Sequence, residues 1–411
     1  MRDPAPGRPP GILTRRQFLY LSGGVVATAA AGGVLTACGA AATPSPTVAP
    51  TVAPTPAPSA AACPTVTPIT GEVGGAFNMS VWQGYEGVGI PVWDKWYADS
   101  GIEPTVKYIS EPNIIATFKS PAGAEYDASS LNQGDVPNAY AAGICMPISV
   151  EQVPGLKKMY PFFQESDFWK LCDGVYSAVP WQWGPISIVT RHENVPASAI
   201  TSFADVLDPK YKGKVGIMDD ALNTISVGAV ASGLDPGKLT REQLNGPVKD
   251  WLKQVMPQLK TLSTSLGDQT NVLASGDVWI MLVGWAYMVP SLAAQNIVAD
   301  FVIPKEGAYG FADSLFIPPT APHKANLLAW INAMMVGETA VAVNDWSLGF
   351  SSNPEVNDKL APETLAPYGN PNIEQYLAST KFNRSWGDPN GSYATIDDWN
   401  AVWNAVKAGT A

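Results

Sequence analysis

The stretch GIMDDALNTISVGAV, residues 216–230, sets two carboxylates, Asp219 and Asp220, between two apolar segments. The approach, 214–218, is short and carries β-branched residues, which suits a strand. The continuation, 221–232, is small and apolar and long enough for a buried helix. Asp219 and Asp220 then stand where a strand ends and a helix begins. A carboxylate at that point accepts the unpaired N–H groups of the first turn and faces the positive end of the helix dipole. One aspartate suffices for this: Asp219 is expected to cap or brace the strand end, and Asp220 to face a cleft.

The same alternation extends outward in both directions. Further strands are expected at 76–82, 105–109, 186–190, 278–283 and 297–303. Helices are expected at 90–99, 113–119, 240–256, 269–275, 325–336 and 339–348. The helix at 240–256 opens with Thr240-Arg241-Glu242-Gln243, a capping-box pattern. Strands alternating with helices predict an α/β fold with mostly parallel sheets, in which ligands gather at the carboxyl ends of strands. No internal repeat is visible. About 340 residues lie beyond the N-terminal region, more than one hydrophobic core supports, so two lobes are expected.

The N-terminus carries its own signals. Thr14-Arg15-Arg16-Gln17-Phe18-Leu19 has a twin-arginine pattern and is followed by an uncharged apolar run to Ala37. Residues 1–37 read as an export signal. A permanent membrane anchor is the competing reading, and Gly23, Gly24, Gly32 and Gly33 weigh against a stable spanning helix. Leu35-Thr36-Ala37-Cys38 resembles a bacterial lipobox, so Cys38 is expected to carry lipid. Residues 38–71, rich in Pro, Ala and Thr, read as a semi-rigid spacer. The protein is expected outside the cytoplasm, in the periplasm or on the outer face of the cell membrane. With Cys38 assigned to lipid, Cys63, Cys145 and Cys172 remain. Cys145–Cys172 is the expected disulfide, because Cys63 lies in or beside the spacer.

The formal net charge is −11. Residues 1–37 hold four arginines and one aspartate, so their removal leaves −14. Such acidity argues against nucleic acid and mildly favours cationic ligands. Catalytic signals are weak. His192 and His323 have no nucleophile near them in sequence, and no G-x-S-x-G elbow occurs. GLDPGKLT, 233–240, has the wrong spacing for a phosphate loop. No adjacent tyrosine pair or calcium-loop spacing points to a metal. No catalytic residue, metal or cofactor is expected, and a carboxylate-pair hydrolase is the weakest alternative.

Four segments carry a resemblance: VPWQWGPISIVTR (179–191), SFADVLDPKYKGKVGIMDDALNTISVGAVASGL (202–234), SGDVWIMLVGWAYMV (275–289) and VIPKEGAYGFADSLFIPPTAPHKANLLAWIN (302–332). In this order they resemble the spermidine/putrescine-binding proteins of ABC importers, within the extracellular solute-binding proteins. The resemblance spans most of 72–411. Its W-x-D-(L/V)-x-x-P-x-Y-x-G-K element is met by Asp205, Val206, Pro209, Tyr211, Gly213 and Lys214, with Phe203 where tryptophan is common.

The resemblance implies a two-lobed clamp of the periplasmic-binding-protein type (type II), with a ligand cleft between discontinuous lobes. Lobe 1 would hold 72–184 and 310–358, and lobe 2 would hold 185–309 and 359–411. Rings would sandwich the methylene chain of a polyamine while carboxylates receive its ammonium groups. Trp82, Tyr85, Asp220 and Asp313 match family binding positions. Phe311 stands at a tryptophan position, Phe350 at a tyrosine position, and Trp285 one residue from an expected tryptophan. Asn223 takes the place of a further carboxylate, and Asn132 and Gly134 replace a serine and a tyrosine. Trp181 and Trp183 alternate along a strand, which puts both rings on one face and makes Trp183 a further candidate. Trp93, Trp96, Trp169, Trp330 and Trp403 read as packing residues. The implied partners are a small cation and an importer permease, met by a monomer held at the membrane through lipid. Another organic cation, a metal or a sugar is the alternative ligand.

Overall fold

The computed structural model describes residues 62–107, 111–384 and 391–409. The expected export signal, Cys38 and most of the spacer lie outside the described residues. The strands begin with β1 (Gly75–Ser80), β2 (Ile102–Val106), β3 (Ala128–Asn132), β4 (Ile148–Ser149), β5 (Lys170–Cys172), β6 (Val175–Tyr176) and β7 (Val179–Arg191). They continue with β8 (Val215–Met218), β9 (Leu259–Ser263), β10 (Ile280–Gly284), β11 (Ala299–Val302), β12 (Ala308–Phe316), β13 (Phe350–Ser351) and β14 (Thr380–Phe382).

Eleven of these strands form one sheet in the order β2-β1-β3-β12-β7-β10-β8-β9, with β11 and β13 also on β7 and β14 on β12. The outer pairs β1–β2, β1–β3, β10–β8 and β8–β9 are parallel. The sheet as a whole is mixed, against the expectation of mostly parallel pairing. The reason is local: β7 and β12 run antiparallel to each other, and to β10 and β3 on their far sides.

Buried apolar side chains fall into two clusters. One gathers Phe77, Met79, Leu131, Trp169, Phe316 and Trp330. The other gathers Ile186, Ile217, Ile225, Leu252, Ile280 and Trp399. β7 and β12 serve both: Trp181 and Trp183 pack in the first and Ile186 and Ile188 in the second, while Ala312 and Leu315 pack in the first and Tyr309 in the second. Segment 359–411 also divides. Leu360, Tyr368, Leu377 and Phe382 pack in the first cluster, whereas Trp399, Val402 and Trp403 pack in the second.

The helix Ala221–Ala231 follows β8 as expected, nearly all of it buried because its residues are small and apolar. The expected helix at 240–256 starts with a formed capping box, Thr240 accepting from Gln243 N while Gln243 accepts from Thr240 N. It does not continue unbroken. Gly246 leaves helical geometry and Pro247 lacks a donor, so a wide turn over Leu244–Val248 separates two shorter helices.

The disulfide joins Cys63 to Cys172, with their Cα atoms 5.6 Å apart. This corrects the expected Cys145–Cys172 pair. Cys145 is a free thiol buried in the first cluster, where desolvation pushes its pKa up. Cys63 was passed over as part of the spacer, yet the chain from 63 onward is fastened to the body. Gln152 Nε2 donates to Thr67 O at 3.0 Å and Ile69 packs on the first cluster. Asn326 accepts from Gly74 N at 2.8 Å and donates to Gly74 O and Ala76 O.

Candidate functional site

Alternate residues of a strand project to one face, so Tyr309, Phe311 and Asp313 share one face of β12. Each meets a different part of the chain. Asp313 accepts a 2.6 Å hydrogen bond from Tyr85 Oη, in the loop after β1. Phe311 lies against Trp285, just after β10, with ring centroids 5.4 Å apart and planes 33° apart. Tyr309 Oη donates at 2.9 Å to Asn223 Oδ1, on the helix Ala221–Ala231. One strand face therefore collects residues from both packing clusters.

Each contact has a local cause. The Tyr85 loop turns through a bond from Tyr85 N to Trp82 O, and Gly84 adopts φ +94° inside it. A Cβ at Gly84 would fall 1.8 Å from the Trp346 ring, so only glycine fits. The Tyr85 ring meets Trp82 edge-on at 5.7 Å and Trp181 edge-on at 4.7 Å. Phe311 sits opposite Gly184 of β7, where an added Cβ would stand 2.8 Å from its Cε1. Asn132 of β3 lies opposite Asp313 on the other side.

The paired aspartates divide their work. Against the expectation that Asp219 caps, it is Asp220 that caps the helix, accepting from Asn223 N at 2.8 Å. Burial, and then the neighbouring charge of Asp219, raise its pKa above the usual carboxylate value. Asp219 instead accepts from Trp403 Nε1 at 2.9 Å and Lys407 Nζ at 2.6 Å, bracing the C-terminal helix Ile396–Lys407.

Trp183 and Phe350 meet each other at 5.2 Å and are both fully buried. Trp183 pairs with Ala312, which points away from the Phe311–Asp313 face, and its Nε1 donates to Ser351 O. The register of β7 on β12 slips between Asp313 and Ser314. This bulge breaks the alternation that would have set Trp181 and Trp183 side by side, so Trp181 meets Tyr85 while Trp183 meets Phe350. Trp93, Trp169, Trp330 and Trp403 are buried as expected, and Trp96 is partly buried against the first cluster.

Sequence reasoning missed two features. Tyr309 was absent from the expected set, although its spacing of two from Phe311 is readable in YGFAD. A buried polar chain was also missed. Gln133 accepts from Ala312 N at 2.7 Å and donates to Asn383 Oδ1 at 2.9 Å, and Asn383 Nδ2 donates to Ser226 Oγ at 3.1 Å. It links β12 to the helix Ala221–Ala231 through residues far apart in the chain. Among the described residues no cluster of three or more His, Cys, Asp or Glu is placed to hold a metal.

Residues 94–367 match the family described as bacterial extracellular solute-binding protein. The spermidine/putrescine-binding periplasmic protein of Escherichia coli is 25% identical over 304 residues, covering 74% of this chain and 83% of that protein. The structure of a spermidine/putrescine ABC transporter substrate-binding protein from Streptococcus pneumoniae superposes with a TM-score of 0.68 at 17% identity, covering 82% of this chain and 99% of that one. The TpPotD lipoprotein of Treponema pallidum gives a TM-score of 0.62 at 17% identity, covering 81% and 99%. The fold is thus the two-lobed α/β clamp of periplasmic substrate-binding proteins.

Proposed function

We propose that this chain, which belongs to the bacterial extracellular solute-binding protein family, captures a polyamine-like cation outside the cytoplasm and delivers it to the permease of an ABC importer. It is a solute-binding protein and not an enzyme. The observation that carries the ligand class is the β12 face: the Asp313 carboxylate held by Tyr85, with the Phe311 and Trp285 rings beside it. A polyamine offers charges joined by apolar methylenes, so a site for it needs carboxylates and rings together. A charge-assisted hydrogen bond contributes about 1.5–3 kcal/mol. A cation over an aromatic face contributes about 0.5–2 kcal/mol. A few such contacts, less the ordering costs, support micromolar binding, about −8 kcal/mol.

In this reading Trp82, Tyr85, Asp220, Trp285, Phe311 and Asp313 line the cleft, with Trp183 and Phe350 supporting it from within. Lobes 72–184 with 310–358 and 185–309 with 359–411 close on the ligand, and the closed form docks on the permease. Export follows the twin-arginine segment, and lipid on Cys38 holds a monomer at the membrane. A thermal-shift screen of the purified protein tests this, with putrescine, spermidine, agmatine, choline, glycine betaine, ferric citrate, calcium and sugars. A ligand at about 100 times its dissociation constant stabilises by about 2.7 kcal/mol. Stabilisation by amines and not by sugars supports the reading. Stabilisation only by sugars or metal, or by nothing, overturns it.

A further inference from the structure

The Tyr85 hydroxyl that holds Asp313 is carried by a short loop, and that loop is fixed on both sides of Tyr85. After it, Gly87 lies against the indole of Trp93, where an added Cβ would stand 2.5 Å from Cγ. Tyr97 Oη donates to Glu86 O at 2.6 Å, and the Glu86 carboxylate turns back to accept from Gly84 N at 2.7 Å. Before it, the Trp346 ring occupies the space that a Cβ at Gly84 would need, with Cζ3 1.8 Å and Cη2 1.9 Å from that position. Both indoles share one support. Trp346 is carried by the helix Gly337–Ser347, and Trp93 Nε1 donates at 2.9 Å to Thr339 O in the first turn of the same helix.

The two indoles differ in what else they do. Trp93 is fully buried in the first cluster, so its packing is part of a core. Trp346 is only partly buried and packs in neither apolar cluster. Its ring therefore lies over the loop without completing either core. Tyr85 reaches Asp313 from the far end of a long side chain, so a small turn of the loop at Gly84 carries the hydroxyl out of hydrogen-bonding range. Asp313 is 5% exposed, and the bond from Tyr85 Oη fixes how its carboxylate is turned.

Resting on the reading of the β12 face as an amine cleft, we infer that Trp346 is a positioning residue for amine binding. It acts without touching the ligand: by covering Gly84 it holds the Tyr85 hydroxyl on Asp313. The carboxylate is thereby presented to the ammonium in one orientation, set by a helix far along the chain.

A double-mutant cycle with Tyr85→Phe tests this, read by calorimetric titration of the purified protein with putrescine and with spermidine. Trp346→Ala in the native background is expected to weaken binding of the tighter amine at least about fivefold. In the Tyr85→Phe background the hydroxyl is already gone, and the same change is expected to cost less than about twofold. Packing alone would cost the same in both backgrounds, and that result overturns the inference while leaving the amine cleft standing. So does a change of less than about twofold on Trp346→Ala in the native background. Trp346→Phe keeps a ring and withdraws only the outer edge that covers Gly84. It is expected to repeat the pattern with a loss of at least about threefold, and it decides by the same criteria if Trp346→Ala does not fold. No binding of either amine to the native protein overturns the amine reading and the inference together.

Discussion

Asp219 and Asp220 are adjacent in sequence yet belong to different structures. That a carboxylate would cap the following helix was readable from the strand-to-helix transition. Which one caps was not, because Asp219 is drawn off by Trp403 and Lys407, nearly two hundred residues further on. Burial raises the Asp220 pKa, so the folded protein holds that proton to a higher pH than the unfolded chain, whose aspartate titrates near about 3.9. Stability from the bound proton is present below this window and is lost as pH rises through the raised folded value. Asp220→Asn keeps a capping oxygen and removes the charge. Native protein is therefore expected to lose stability relative to Asp220→Asn as pH rises from about 3.9 toward neutrality. Urea midpoints across that range check this, and a constant difference would contradict it.

At the scale of elements, β7 and β12 carry the site. β12 was legible as the segment holding Phe311 and Asp313, from the family resemblance and not from periodicity. β7 was expected over 186–190 and, as a separate piece, from the alternation of Trp181 and Trp183, whereas it runs unbroken for 13 residues. Gly184-Pro185 hides that the two pieces are one strand, since glycine and proline interrupt simple alternation. Gly184 has a packing reason to be there: the Phe311 ring lies over it, and a Cβ would approach Cζ as well, at 3.0 Å. Gly184→Ala is expected to cost about 1–3 kcal/mol through overpacking and to push Phe311 off Trp285. Denaturation together with amine titration checks both halves, and unchanged amine affinity would separate Phe311 from the ligand.

Across the whole molecule, two lobes were legible from length and resemblance, while the links between distant segments were not. The chain Ser226–Asn383–Gln133–Ala312 joins residues from four distant segments, and Gln133 and Ser226 within it are fully buried. Gln133→Ala leaves the Ala312 N–H without its acceptor and is expected to cost about 1–3 kcal/mol in chemical denaturation. The disulfide was also invisible, because composition marks residues near Cys63 as spacer while their contacts bind them to the first cluster. Cys63 and Cys172 close a loop across a separation of 109 residues. Cys63→Ser is expected to cost about 2–4 kcal/mol and to open the segment 62–74 to protease, whereas Cys145→Ser leaves that segment protected. The central claim is that an amine binds through Asp313, and one comparison tests it most directly: calorimetric titration of the tightest-binding amine into native protein and into Asp313→Asn. The expected result is micromolar binding to the native protein and a loss of at least about tenfold in the variant, as a charge-assisted hydrogen bond requires. A change of less than about twofold in a folded variant would mean that Asp313 does not hold the amine, contradicting the account.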